Sequence, residues 1–281
     1  AEFGDHHFIE LDLSAAERRI WWLTREAHGV RRHLLGYLDA DLGYYRGLDE
    51  WCPRAWVRRV AAVQAARRFD VVVVEYAFLS RVLSAFGGDV LKIVDTHDRF
   101  ADRHRAYVRA GVRYWYTVSP RTEARALRRA DVALAIQDEE AAAFRRDVGD
   151  AVDVVTVGHL LDASRPIRRH DGLGAVVVGS GNATNLRSVG RFLDDVLPRV
   201  LEAMPAFRLH LVGAIADYVS DRPGLVRHGF VDDLRGVFEA APLAVNPSLL
   251  GTGINIKLLE GMAFGVAGVT TRTGVRGLPE P

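Results

Sequence analysis

Asn246-Pro-Ser-Leu-Leu-Gly251-Thr-Gly253-Ile-Asn-Ile-Lys257-Leu-Leu-Glu260-Gly-Met-Ala-Phe-Gly265 decides the architecture. The apolar run 243–246 reads as a strand that stops at Pro247. The Gly251-Thr252-Gly253 loop lacks bulk, so a ligand or another backbone can approach it closely. Apolar residues at helical spacing then run over 254–264. A helix that starts where a strand ends presents unpaired N–H groups and its positive dipole end, which suit an anion such as a diphosphate. Lys257 falls in the first turn and can add a point charge, and Glu260 can accept hydrogen bonds from a ribose or sugar hydroxyl. The same residues also fit a plain strand-to-helix turn with a solvated lysine.

Working outward, this strand-then-helix unit repeats along the chain. Strands are expected over 7–13, 70–74, 91–95, 131–136 and 152–157, with helices over 14–38, 54–68, 78–86, 100–110, 119–130 and 138–147. The first helix opens on Ser14-Ala-Ala-Glu17, a capping box. Residues 159–174, with Pro166 and Arg168-Arg169-His170, read as a linker. Beyond it the rhythm restarts with strands over 175–178, 207–212, 225–228, 243–246 and 266–270, and helices over 185–203, 232–241 and 254–264. Such alternation implies parallel sheets covered on both faces. The expected organisation is a domain over 1–160, a linker over 161–174 and a domain over 175–281.

Composition excludes several classes. Of 281 residues, 49% are hydrophobic and 26% charged, values of a folded globular chain. Basic and acidic residues nearly cancel, 37 against 36, so no overall field attracts nucleic acid. Lysine occurs only at Lys92 and Lys257, so nearly all the basic charge is arginine. One cysteine, Cys52, cannot form an internal disulfide, and no apolar run reaches the ~18 residues of a membrane span. The polar start, Ala1–His7, has no signal-peptide character, and the expectation is a cytoplasmic protein.

With these residues in view, the stretch from Asn246 through Val266-Ala-Gly-Val-Thr-Thr271 to Gly277-Leu278 resembles the signature of the family 4 (group 1) glycosyltransferases. Similar agreement runs through 176–185, 192–198, His210–Gly213 and Gly229-Phe-Val-Asp-Asp-Leu234, and more loosely through Asp95-Thr-His-Asp98 and 130–136. The resemblance implies the GT-B fold, two Rossmann-like doubly wound parallel-sheet domains facing a cleft. It also implies a chain truncated at both ends relative to that family. The implied activity is retaining, metal-independent hexosyl transfer from a nucleotide-diphosphate sugar, with no cofactor. The donor site would draw on Gly179, Ser180, Gly181, Asn185, Arg187, Gly251, Thr252, Gly253, Ile254, Lys257 and Glu260. His97 resembles the histidine that faces the donor sugar, and Asp98 would orient its imidazole or meet the acceptor.

Two departures stand out. Thr252 occupies the place of the first of the family's two glutamates, Glu260 matching the second. Gly179-Ser-Gly-Asn-Ala-Thr-Asn185 lacks the family's diphosphate-binding cations, leaving Arg187 as the nearest and Lys257 to take over part of that charge. A non-catalytic nucleotide-sugar-binding partner or a GT-B epimerase is therefore the alternative reading. The residues speak against a nicotinamide site, since Thr184 replaces the third glycine and the next strand ends in Val212-Gly213-Ala214 without an acid.

Other motifs are weaker. Glu75 follows its strand as His97 does. Asp39-Ala-Asp41 spells a metal-binding Asp-x-Asp but trails a helix, and no tight metal-ligand spacing occurs, so no metal is expected. The arginine- and tryptophan-rich helix over 54–68 suits either a sheet cover or peripheral contact with an anionic membrane, the latter pointing to a lipid-linked or surface-polysaccharide acceptor.

Overall fold

A computed structural model describes residues 9–112, 114–163, 166–167, 172–251 and 253–278. The chain divides into two compact units, one of Ala1–Arg105 with Tyr114–Val157, the other of Ala106–Arg113 with Gly158–Pro281. Residues 106–113, which the sequence reading placed in the first domain, thus belong with the second.

The first unit contains α1 (Ala15–Gly36), α2 (Ala40–Tyr44), α3 (Arg54–Arg67), β1 (Val71–Glu75), a 3₁₀ segment over Ala77–Ala85, and β2 (Leu91–Asp95). After these come α4 (His104–Arg109), of which only His104 and Arg105 belong to this unit, then α5 (Pro120–Leu127), β3 (Val132–Ala135), α6 (Asp138–Val148) and β4 (Asp153–Thr156). The four strands pair in parallel in the order β1-β2-β3-β4. Val94, Ala133 and Ala135 in the sheet and Leu127, Ala141 and Phe144 on α5 and α6 form a core with almost no exposure.

Helix α1 starts at the expected capping box, Ser14 accepting from the Glu17 N–H and Glu17 accepting from the Ser14 N–H. It packs through polar and aromatic groups. Trp21 donates to the Glu50 carbonyl at 2.8 Å, and Arg32 reaches the buried Glu50 carboxylate at 3.0 Å. Its aliphatic residues face outward: Ile20, Leu23, Val30 and Leu34 are each more than half exposed.

Three expectations are corrected here. Residues 9–14 form no strand, and the Leu11 carbonyl is taken instead by the Trp56 indole at 2.9 Å. The helix expected over 100–110 begins only at His104, because the N–H groups of Phe100 and Ala101 bond to the Glu123 carboxylate. Val71 and Val73 remain about half exposed, since β1 is an edge strand.

The second unit contains β5 (Gly174–Val178), α7 (Ala183–Asp195), α8 (Leu197–Ala203), β6 (Arg208–Val212), β7 (Leu225–Gly229), α9 (Arg235–Glu239), β8 (Leu243–Asn246), α10 (Ile256–Ala263) and β9 (Ala267–Thr270). The helix expected over 185–203 is broken at Val196, because Pro198 cannot continue the helical hydrogen bonding. All five strands are parallel in the order β7-β6-β5-β8-β9. β5 is central and buried, matching its unbroken Val176-Val-Val178 run. Two cores flank it, one around Leu193, Leu209, Leu211 and Ile215, the other around Phe238, Ala244 and Leu258. Part of the expected linker joins the second core: Ile167 is buried and donates its N–H to the Phe264 carbonyl at 2.7 Å.

In this strand order the chain leaves β5 in one direction across the sheet and later returns on its other side at β8. The crevice at the carboxyl ends of such a pair is where open α/β sheets bind ligands. Close backbone approach shapes that edge. Gly213, with φ +91°, follows β6, and a Cβ there would lie 2.4 Å from the Gly179 carbonyl oxygen. Both the positive φ and the fixed backbone oppose a side chain. Gly213→Ala is expected to lower unfolding free energy by about 2–3 kcal/mol, read as a reduced denaturant midpoint at unchanged m-value.

Candidate functional site

The loop after β5 holds itself together. Asn182 caps α7 by accepting from the Asn185 N–H at 2.9 Å, while Asn185 Nδ2 donates to the Ser180 carbonyl at 3.0 Å and to its hydroxyl at 2.9 Å. Gly179 and Gly181 have structural reasons: added Cβ atoms would lie 2.9 Å from Ile215 and 2.3 Å from Tyr218. Arg187, expected as the nearest cation, donates to the Ala110 carbonyl.

The loop after β8 is anchored from three sides. Ser188 on α7 accepts from the Leu249 N–H at 3.1 Å, the Thr271 hydroxyl donates to the Ser248 carbonyl, and Arg276 donates to the Gly251 carbonyl at 3.3 Å. Asn255 turns its amide toward the Gly274 carbonyl at 3.2 Å and leaves α10 without a side-chain cap. Helix α10 therefore begins at Ile256, two residues later than its pattern suggests. The N–H groups of Gly253, Ile254 and Lys257 have no partner among the described residues. Lys257 is half-buried and its ammonium forms no hydrogen bond or ion pair among the described residues. Burial pulls the Lys257 ammonium below its ordinary value, and the nearby Glu260 carboxylate opposes the change. Gly251, Gly253, Ile254, Lys257 and Glu260 thus share one strand-to-helix junction; Thr252 lies outside the described residues.

In the first unit, His97 follows β2 at the carboxyl edge. Its imidazole contacts the Glu75 carboxylate and stacks on Tyr76, with ring centroids 4.3 Å apart. The His97 N–H donates to Asp95 Oδ1 at 3.3 Å. Glu75 and Asp95 are direct partners in the parallel β1–β2 register, so their side chains are neighbours. Tyr76 and His97 both have positive φ, +67° and +55°. Such strained residues persist where surrounding contacts fix them, often at functional sites.

Asp98 pairs with Arg103 at 2.8 Å, and Glu75 contacts the imidazole. Sequence spacing concealed the Glu75–Asp95–His97 grouping, since 20 and 22 residues separate Glu75 from its neighbours and only strand pairing brings them together. Arg276 was missed because it lies on an irregular segment with no spacing signal. Asp39 and Asp41 are structural: Asp39 accepts from the Asp41 N–H, and Asp41 bonds to His104 at 3.0 Å and Arg105 at 2.6 Å.

Two buried carboxyls hold the loop after His97. Glu123 accepts from Phe100 at 2.6 Å and Ala101 at 3.2 Å, and Glu140 accepts from Arg99 at 3.2 Å. Desolvation pushes both up to about 7, against the pull of these N–H bonds and of Arg99 on Glu123 and Arg103 on Glu140. Asp147 near Glu123 and Asp98 near Glu140 add to the rise. Folding therefore favours the protonated form: the contribution is full below about 4.5 and is lost as pH rises to about 7. Each carboxyl should account for on the order of 3 kcal/mol across that window. Stability measured by denaturant unfolding between pH 4.5 and 7 should fall more steeply in the wild type than in a Glu123→Gln/Glu140→Gln variant. Equal slopes would mean that the carboxyls ionise without penalty.

Residues 173–280 match the family model for glycosyl transferases group 1. Comparison with curated protein sequences gives no match. Among solved structures, S. aureus TarM is similar at TM-score 0.61 and 11% identity, over 80% of this chain and 47% of that one. Anabaena HepE in complex with UDP and glucose is similar at 0.58 and 15%, over 82% and 66%. Sucrose-phosphate synthase from Thermosynechococcus elongatus is similar at 0.58 and 16%, over 79% and 61%. The chain thus spans between about half and two thirds of the length of these structures. The group 1 glycosyl transferase pattern lies on the second unit, and the two parallel-sheet units together have the fold of the GT-B glycosyltransferases.

Proposed function

We propose that this chain is a glycosyltransferase that moves a hexosyl group from a nucleotide-diphosphate sugar to an acceptor, with retention and without a metal at the diphosphate. The observation that carries this reading is Lys257. It is one of two lysines in the chain, half-buried where α10 starts, and its ammonium and three N–H groups beside it have no partner among the described residues. That arrangement is complementary to a diphosphate. Held in place before the reaction, the ammonium and the N–H groups would stabilise charge as it develops on the departing nucleotide diphosphate. Glu260 would accept hydrogen bonds from the ribose. In the first unit, His97 would meet the donor sugar while Asp98, already paired with Arg103, stiffens the loop beside it. HepE in complex with UDP and glucose supports a uridine nucleotide as the first donor to try.

The loop after β5 favours a second reading, a non-catalytic nucleotide-sugar binder. Its asparagines and serine satisfy one another and Arg187 is engaged by a carbonyl, so this loop adds no free cation for turnover. One experiment separates the two. UDP release from UDP-glucose and other nucleotide sugars should occur in the wild type. Lys257→Ala should reduce it about 10²-fold or more, and Glu260→Ala should mainly weaken binding. Tight nucleotide-sugar binding without UDP release would favour the binder.

A further inference from the structure

We propose that α1 is a dimerisation helix, pairing in parallel with α1 of a second copy of this chain as a two-stranded coiled coil. Although it runs for 22 residues behind a capping box, α1 contains no buried residue. One side is fixed to its own unit: Glu17 pairs with Arg59 at 2.7 Å, Arg25 stacks over Trp51 at 4.3 Å, and Trp21 and Arg32 reach Glu50. The opposite side carries Ile20, Leu23, Ala27, Val30, Leu34 and Tyr37, all exposed, the larger ones from 51% at Leu23 to 77% at Tyr37. A continuous apolar stripe in water marks an interface.

Spacing identifies the occupant. These residues recur at intervals of three, four, three, four and three, the 3.5-residue period by which one helix meets another along a narrow seam. In heptad terms Ile20, Ala27 and Leu34 hold the a positions and Leu23, Val30 and Tyr37 the d positions. Isoleucine at a followed by leucine at d favours two strands. Both helices use the same face, so the contact is isologous and closes at two copies.

Charge sets the direction. Glu26 and Arg31 border the seam on opposite sides, are exposed, and have no ion pair among the described residues. They lie five residues apart, the offset at which a g residue of one parallel helix meets an e residue of the other. Glu26 of each copy therefore faces Arg31 of the other, twice in the dimer. The remaining facing pairs, Arg19 with Thr24 and His33 with Leu38, oppose no like charges. An anionic membrane gains nothing from Glu26 and requires no 3.5-residue period.

No residue of the seam belongs to the proposed donor site, so the test does not depend on glycosyl transfer. At about 1.5 Å per residue α1 spans about 33 Å. That is a small interface, so association should depend on concentration. Sedimentation equilibrium of the full chain, up to about 100 μM, should show a reversible monomer–dimer equilibrium. Leu23→Glu and Leu34→Glu should each weaken it at least about tenfold. Both positions are exposed in the single chain, so circular dichroism should match the wild type. Glu26→Arg and Arg31→Glu should each weaken self-association, whereas an equal mixture of the two variants, and the double variant, should recover it. Val30→Cys should be oxidised by dissolved oxygen to a disulfide-linked dimer, Cys52 being buried and unable to substitute. The proposal is overturned by a wild type that stays monomeric, by folded Leu23→Glu and Leu34→Glu proteins that dimerise unchanged, or by charge swaps without recovery. A monomer that instead sediments with phosphatidylserine vesicles overturns it as well.

Discussion

Parallel strand pairing is the constraint on which the molecule depends. Each connection must cross back over the sheet before the next strand begins, so every strand of a sheet delivers its carboxyl end to the same edge. In the second unit that edge carries the loops after β5 and β8 and the start of α10. In the first it carries Glu75, Asp95 and His97. Neither group is contiguous in sequence. Each exists because runs such as Val176–Val178 pair with parallel neighbours that bury them, and even the half-exposed edge run Val71–Val74 takes its register from β2.

Much of the architecture was legible because it rests on local rules. The Ser14–Glu17 capping box, the β8-to-α10 junction and the parallel strand rhythm depend on spacing over a few residues, and all are present. What escaped depends on partners distant in sequence. The start of α4 is delayed by Glu123 on α5, a contact across 22 residues that no periodicity reports. The outward aliphatic face of α1 reverses the usual rule, because Trp21 and Arg32 find stronger partners in Glu50 than the aliphatic residues find in the core.

The candidate site divides along the same line. Lys257 and Glu260 lie on the helix that follows β8, at the junction the sequence pattern gives, since a strand-to-helix turn with small residues is a local signal. In the Gly179–Asn185 loop the glycines answer to Ile215 and Tyr218 and Asn185 to Ser180. Glycine in a turn reports that something approaches closely, and here it is another part of the same chain. Glu75 was only a minor entrant in the sequence, and strand register made it the imidazole's partner.

The scarcity of lysine has a consequence for how the molecule behaves as a base. Arginine keeps its proton throughout the range in which proteins remain folded, so the ion pairs at Glu50, Asp49 and Asp147 do not loosen in alkali through loss of their cations. Lys92 and Lys257 are the only lysines, and burial pulls the Lys257 ammonium below its ordinary value. The one ammonium at the start of α10 is therefore easier to neutralise than an exposed lysine would be, while the arginine scaffold around it stays cationic.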